Sequence, residues 1–228
     1  MVDMYGQGLE NLKHLLLGTF KDQRSQTIGP LSVVDFTTYH LLGSIYDAGI
    51  FRDMDTWTVY PGHTGGGNAA LDPFVDLVAK LFQDRPVIDL LWRHTESKDS
   101  GKTRRGGGDV DFSNQLNTVC LRPEHGARVK DKSVLVLDDF AKHGFSQECA
   151  RNLLLTAGAA SVVSVNIGKY GPNYRVFSPT TGYDWDPYSP TNHGESAPFQ
   201  DEPERGMTNR DAGTEMRSSY ERVSDMVH

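Results

Sequence analysis

The chain has 228 residues, 37% of them apolar, and a formal charge of −7; this length suits one α/β domain with decoration and is too short for two full-sized domains. Most of the charge is local: from Ser178 onward ten acidic residues face four arginines, and the first 177 residues are close to neutral. A neutral body lacks the basic face that non-specific nucleic-acid binding needs, and the acidic tail is expected to be solvated and outside the core.

In chain order, Met1 to Gly6 shows neither the basic start nor the apolar run of a signal peptide. No apolar stretch approaches the ~20 residues of a membrane-spanning helix, so a soluble, cytoplasmic protein is the expectation. Leu12, Leu15, Leu16 and Phe20 have roughly helical spacing over 8–20, and Val34, Phe36, Tyr39, Leu42 and Ile45 mark a second helix over 32–47, closed by Gly49. These helices make residues 1–50 an N-terminal cap with no chemistry of its own.

The rhythm then changes. Thr56 to Tyr60 is β-rich and stops at Pro61-Gly62, which predicts a short buried strand. A glycine-rich loop follows, His63-Thr64-Gly65-Gly66-Gly67-Asn68. Asp72 is placed as the N-cap of a helix with Pro73 at its first position, and Phe74, Leu77, Val78 and Leu81 share one face. Pro86 to Trp92 predicts another strand. Residues 95–109 form a polar, glycine-rich loop carrying Lys98, Lys102, Arg104 and Arg105.

The clearest unit comes next. Ser133 to Leu137 is a continuous apolar run, the pattern of a strand covered on both faces. Asp138-Asp139 is expected just beyond its end, followed by Phe140-Ala141-Lys142-His143-Gly144-Phe145-Ser146. Ser146 is placed as the N-cap of a helix carrying Cys149, Ala150, Leu153 and Leu154, with Gly158 at its end; Ser161 to Ile167 is the following strand. Strand, helix and strand at this spacing form a βαβ unit, hence a sheet that is at least partly parallel. The aromatics Tyr174, Phe177, Tyr183, Trp185 and Tyr188 are expected to pack at the domain edge, and 192–228 to be disordered at the surface. The α/β domain is therefore bounded at 51–177 and the acidic tail at 178–228.

Ligands of open α/β sheets bind beyond the carboxyl ends of the strands. A helix N-terminus there offers free N–H groups and a positive dipole end to an anion. Gly144 would let a phosphate approach the backbone, and Ser146 could donate a hydroxyl. Two adjacent carboxylates suit the vicinal hydroxyls of a sugar or a neighbouring metal. A group with a phosphate at one end and a cis-diol at the other fits this layout, and a 5-phosphoribosyl group is one.

The run from Val134 to Ser146 resembles the 5-phosphoribosyl 1-pyrophosphate (PRPP) signature of type I phosphoribosyltransferases. That signature is an apolar strand, two acidic residues, two further residues, a small pair, glycine, any residue and Thr or Ser. Val129 to Lys132 resembles the basic-polar turn before that strand, and Leu155 to Ala159 the helix end after it. The resemblance spans roughly 54–170 and is most specific over 129–165. It implies a three-layer α/β fold with a mainly parallel sheet. It implies Asp138 and Asp139 on the ribose hydroxyls and beside a metal, and Ala141, Lys142, His143, Gly144, Phe145 and Ser146 around the 5′-phosphate. Gly62, His63, Thr64, Gly65 and Gly66 would meet the pyrophosphate with Mg²⁺, and Lys98, Lys102, Arg104 or Arg105 would close over the reactants. The implied activity is transfer of phosphoribosyl to a nitrogenous base, by positioning and by stabilising charge on the leaving pyrophosphate; family members are often dimers.

Lys142-His143 stands where the family carries its small pair, which removes two hydroxyls and admits two bulky groups. A non-catalytic sensor of PRPP or a nucleotide that regulates a partner is therefore the alternative to an enzyme. Gly101-Lys102-Thr103 is no phosphate-binding P-loop: Glu96 occupies the position of the required first glycine, and Arg104-Arg105-Gly106-Gly107-Gly108 cannot start the helix that must follow. The two cysteines and the scattered histidines have no metal-ligand spacing.

Overall fold

The computed structural model describes residues 10–20, 25–65, 68, 71–81, 88–97, 112–169, 174–179, 185–190, 199–203 and 218–223. The centre is a three-stranded parallel sheet of β3 (Thr56–Val59), β6 (Ser133–Ala141) and β7 (Ser161–Lys169), with β6 in the middle. Register runs from Thr56 opposite Val134 to Val59 opposite Leu137, and from Ser133 opposite Ser161 to Ala141 opposite Lys169. Because all three strands are parallel, their carboxyl ends open on one edge.

The continuous apolar run of β6 is explained by what covers it. Leu135 and Leu137 join one core with α1 (Glu10–Phe20), α2 (Val33–Asp47) and α4 (Asp72–Leu81), through Leu16, Phe36, Ile45, Phe74 and Val78. Val134 and Val136 join a second core with Cys149, Ala150, Leu153 and Leu154 of α6 (Phe145–Thr156). The sheet therefore separates two helical layers, the expected three-layer α/β arrangement, and the Val134–Leu137 stretch of β6, buried on both faces, is apolar throughout.

Local chemistry sets the helix ends. The Ser32 hydroxyl accepts from the Asp35 amide at 3.0 Å and donates to the Asp35 carboxylate at 2.7 Å, a reciprocal cap on α2. Gly158, at φ 91°, ends α6 with its N–H on the Leu155 carbonyl, while the Ala159 N–H reaches that of Leu154. α4 starts at Asp72 itself, one residue before the expected boundary.

Elsewhere the chain departs from expectation. The predicted strand over 86–92 resolves into two parts. Residues 88–90 run beside β3, with the Ile88 N–H on the Trp57 carbonyl at 2.8 Å; β4 (Leu91–Arg93) then pairs antiparallel with β5 (Val119–Leu121). Between them in sequence, α5 covers Phe112–Leu116. Ahead of these lie α3 (Ile50–Asp53) and the two-residue pair β1 (Thr27–Ile28) and β2 (Leu31–Ser32).

The tail is not wholly outside the fold. β8 (Arg175–Pro179) runs across the 177/178 boundary and pairs antiparallel with β9 (Phe199–Pro203). Residues 218–223 are helical, and Tyr220 and Val223 pack against the first core. Phe177, Trp185 and Tyr188 pack with the second, as expected of edge aromatics; Tyr183 lies outside the described residues. Those contacts explain why a polar, weakly periodic sequence is held: a few apolar anchors suffice to seat it. Among the described residues no helix is long and apolar enough to cross a membrane.

Candidate functional site

β6 does not stop at Leu137. It runs on to Ala141, so Asp138 and Asp139 lie inside the strand. The register with β7 carries it further, Asp138 opposite Asn166 and Phe140 opposite Gly168, since backbone pairing continues wherever a neighbouring strand supplies partners.

Burial then treats the two carboxylates differently. Asp138 is 7% exposed; its Oδ2 accepts from Gln147 Nε2 at 2.9 Å and its Oδ1 from the Asp139 amide at 2.8 Å. A buried carboxylate is tolerable only with such donors. Asp139 is half-buried, and its Oδ1 accepts from the Phe140 amide. Beside Asp138 sits Asn166, 2% exposed, whose side-chain nitrogen and oxygen both lack a partner among the described residues.

Lys142 and His143 form the bend after β6, and both are half-buried. Gly144, not Ser146, caps α6: its φ of 82° is the left-handed turn into the helix, and Ser146 is the second helical residue. Gly144 is required on two counts, because a Cβ there would also overlap the ring of Tyr174. The open approach expected at Gly144 is therefore occupied by an aromatic face.

That ring is held firmly. The Tyr174 hydroxyl donates to Glu148 Oε1 at 2.9 Å, and the Arg175 amide donates to the His143 carbonyl at 3.0 Å. Glu148 is 2% exposed, takes Arg151 Nη2 at 2.7 Å, and accepts the Phe177 amide at 3.1 Å. The Phe177 ring stacks on Phe112 with centroids 4.0 Å apart. Lys169, the last residue of β7 and only 3% exposed, sets its ammonium 5.9 Å from the Tyr174 ring centre. Residues 174–179 thus form a strap across the start of α6.

On the neighbouring strand, β3 leads into the glycine loop. The Tyr60 N–H on the Leu137 carbonyl, at 2.7 Å, keeps the two strand ends together. Gly62, His63, Thr64 and Gly65 make a turn there; Gly66 lies outside the described residues. Arg93, 5% exposed, reaches this turn, donating through Nε to the Gly62 carbonyl at 2.8 Å. The structure therefore brings the 62–65 turn, the Asp pair and the 141–146 bend to one edge of the sheet. Lys98, Lys102, Arg104 and Arg105 fall outside the described residues.

Sequence reasoning missed Arg93, Gln147, Glu148, Asn166 and Lys169. A lone arginine ending an apolar strand and a glutamate in the first turn of a helix are both ordinary in sequence. Their burial, which makes them notable, is a tertiary property. Behind the site, burial pushes the Cys149 thiol up to about 12 and raises the neighbouring Tyr60 hydroxyl, so neither ionises near neutral pH. Among the described residues no group of three or more His, Cys, Asp or Glu side chains could hold a metal ion.

Fold and site together define an α/β protein with a parallel sheet whose carboxyl edge gathers acidic, glycine-rich and basic residues. No protein-family model matches the chain, and no curated protein does. One similar solved structure is described as the allosteric regulatory enzyme of purine biosynthesis, with 16% identity and a TM-score of 0.42. The match covers 67% of this chain and 30% of that one, so this chain spans less than a third of that enzyme's length.

Proposed function

We propose that this is a phosphoribosyltransferase-like protein that binds PRPP, or a nucleotide through its 5′-phosphate, at the carboxyl edge of β3, β6 and β7. The observation that carries this reading is the convergence of the Asp138–Asp139 segment, the start of α6 and the 62–65 turn on that edge. Asp139 is the better-placed acceptor for a ribose hydroxyl, since Asp138 is already committed to Gln147. The unpaired amide of Asn166 offers one donor and one acceptor beside Asp138, a combination a sugar hydroxyl can complete.

Asp139 would be the carboxylate beside a Mg²⁺ ion that arrives with a diphosphate and keeps much of its water. Bound there, Mg²⁺ would neutralise charge on a departing pyrophosphate. The chain's own part is to hold the sugar by Asp139, to keep the 5′-phosphate at the 142–146 bend, and to face the 62–65 turn toward the leaving group. The proposed reaction passes the phosphoribosyl group to a nitrogenous base.

A second reading, binding without turnover, rests on Tyr174 packed on Gly144 together with the bulky Lys142–His143 pair. Calorimetric titration of PRPP with and without Mg²⁺, followed by assay of pyrophosphate release with nucleobases, decides between the two. Mg²⁺-dependent binding with release supports the enzyme, and binding without release the sensor. Absence of binding by folded protein overturns both.

A further inference from the structure

The chain beside β3 leaves it at Leu91. Residues 88–90 still follow the strand, with the Ile88 N–H on the Trp57 carbonyl at 2.8 Å and the Leu90 N–H on Thr58 Oγ1 at 3.3 Å. From Leu91 the chain turns to pair with β5, Leu91 opposite Leu121 and Trp92 opposite Cys120. α4 packs on β3 through Phe74, whose ring stacks on Trp57. Where strand, helix and departing chain diverge, a cavity of about 200 Å³ opens at the surface. Its walls come from β3, α4 and residues 88–92, on the edge of β3 opposite β6 and its Asp pair. Pro61 and Gly65 border it on the side of the glycine turn.

The walls are apolar and the rim is charged. Val59, Val75, Ile88, Leu91 and Trp92 supply the walls. Trp92 is 37% exposed, between the buried Leu91 and Arg93 of the same strand, and its indole offers a flat face that a ring can cover. An apolar cavity of about 150 Å³ accepts a benzene-sized molecule, so the space here suits a single ring with one substituent. At the rim stand Asp72, Asp89 and Arg122. Arg122 is engaged: its Nε and Nη2 both donate to Asp89 Oδ2, at 3.0 and 2.8 Å, and its guanidinium lies 5.6 Å from the Trp92 ring centre. Both bonds fall on one oxygen, so Arg122 leaves Oδ1 of Asp89 to another donor. Two carboxylates against one cation make the rim net negative. Such a rim favours a ligand that donates N–H groups or carries positive charge, and it opposes an anion. Apolar walls with a few convergent polar groups are the usual construction of a small-molecule site.

We propose that this cavity is a binding site for a single aromatic or heteroaromatic ring bearing an amino or amidino group. The ring lies against Trp92 and between Val59 and Val75, and its N–H groups reach the Asp89 carboxylate. The site stands apart from the function proposed above, because neither its walls nor its rim include Asp139 or the 142–146 bend.

Benzamidine is the probe, and benzoate, with the same ring and nearly the same shape but the opposite charge, is the control. Each is titrated into the full chain while the indole N–H resonances are followed in proton–nitrogen NMR spectra, the Trp92 resonance being assigned by its loss in W92F. Saturable movement of that resonance with benzamidine is expected, with a dissociation constant of about 1 mM, and benzoate should bind at least about tenfold more weakly. V75F fills the cavity and should abolish the movement. D89N removes the rim charge and should weaken benzamidine about tenfold, the loss of one charge-assisted hydrogen bond. Folded protein that shows no saturable movement overturns the site. Equal affinity for the two probes, or unchanged benzamidine affinity in D89N, overturns the proposed ligand class. Unchanged affinity in a folded V75F places the probe elsewhere and overturns the proposal; if V75F fails to fold, D89N and the benzoate comparison still decide. None of these outcomes bears on PRPP binding at the carboxyl edge, which its own titration judges.

Discussion

Tyr174 and Glu148 are joined by a hydrogen bond of 2.9 Å that ties a strap from the chain's last third to the first turn of α6. Glu148 has four donors on its carboxylate, from Arg151 Nε and Nη2, the Tyr174 hydroxyl and the Phe177 amide. Asn152 adds to the clamp by donating from Nδ2 to the Phe177 carbonyl at 2.8 Å. A buried carboxylate this fully satisfied fixes one arrangement, because each alternative leaves donors unpaired.

Glu148→Gln should therefore loosen the strap. The amide cannot accept from all four donors, and Arg151 loses its counter-charge. Because Arg151 is partly exposed, the loss belongs near the low end of the range for breaking a buried pair, about 3 kcal/mol. Urea denaturation measures it; a loss within experimental error refutes the clamp.

Gly144→Ala meets two penalties at once, a left-handed backbone and the Tyr174 ring. A cost of about 2–3 kcal/mol in unfolding free energy is expected. Combining it with Tyr174→Ala should return part of that loss, since the double variant removes the overlap. Strict additivity in this cycle would show that ring and glycine do not interact.

Asp138 and Asp139 should separate under mutation. Asp139→Asn is expected to abolish ribose 5-phosphate binding with the fold retained, measured by calorimetry and circular dichroism. Asp138→Asn alters a buried acceptor of Gln147 and should also cost about 1–2 kcal/mol of stability. If Asp139→Asn leaves affinity unchanged, the sugar site lies elsewhere.

The buried thiols set an alkaline limit. Cys149 is pushed up to about 12 and Cys120 to about 11, burial being the main cause in each case. Above the ordinary thiol pKa of 9.0 the unfolded chain releases protons that the folded chain retains. Stability is thus full below pH ~9 and falls as pH rises toward the folded values, by up to about 1.4 kcal/mol per pH unit for each thiol. Urea midpoints measured between pH 8 and 11 should decline more in the unaltered protein than in Cys149→Ala. Neither thiol should react with an alkylating reagent at pH 8 before unfolding.

The sequence by itself determined the central unit. A continuous apolar strand, a helix with one apolar face and a second strand leave a parallel βαβ unit as the way to bury all three, and 133–167 folds so. It also placed the glycine turn just after β3, because proline and glycine end a strand; the Asp pair it set beyond the end of β6, whereas the structure keeps both residues inside that strand. Tertiary structure alone decided how far β6 runs, since its extension to Ala141 depends on backbone partners from β7. The strap over Gly144 was likewise undecided: Tyr174 and Glu148 are 26 residues apart, and nothing local to either specifies the other. Arg93 reads as a surface arginine until the fold closes around it, because burial is a property of the packed chain and not of the residue.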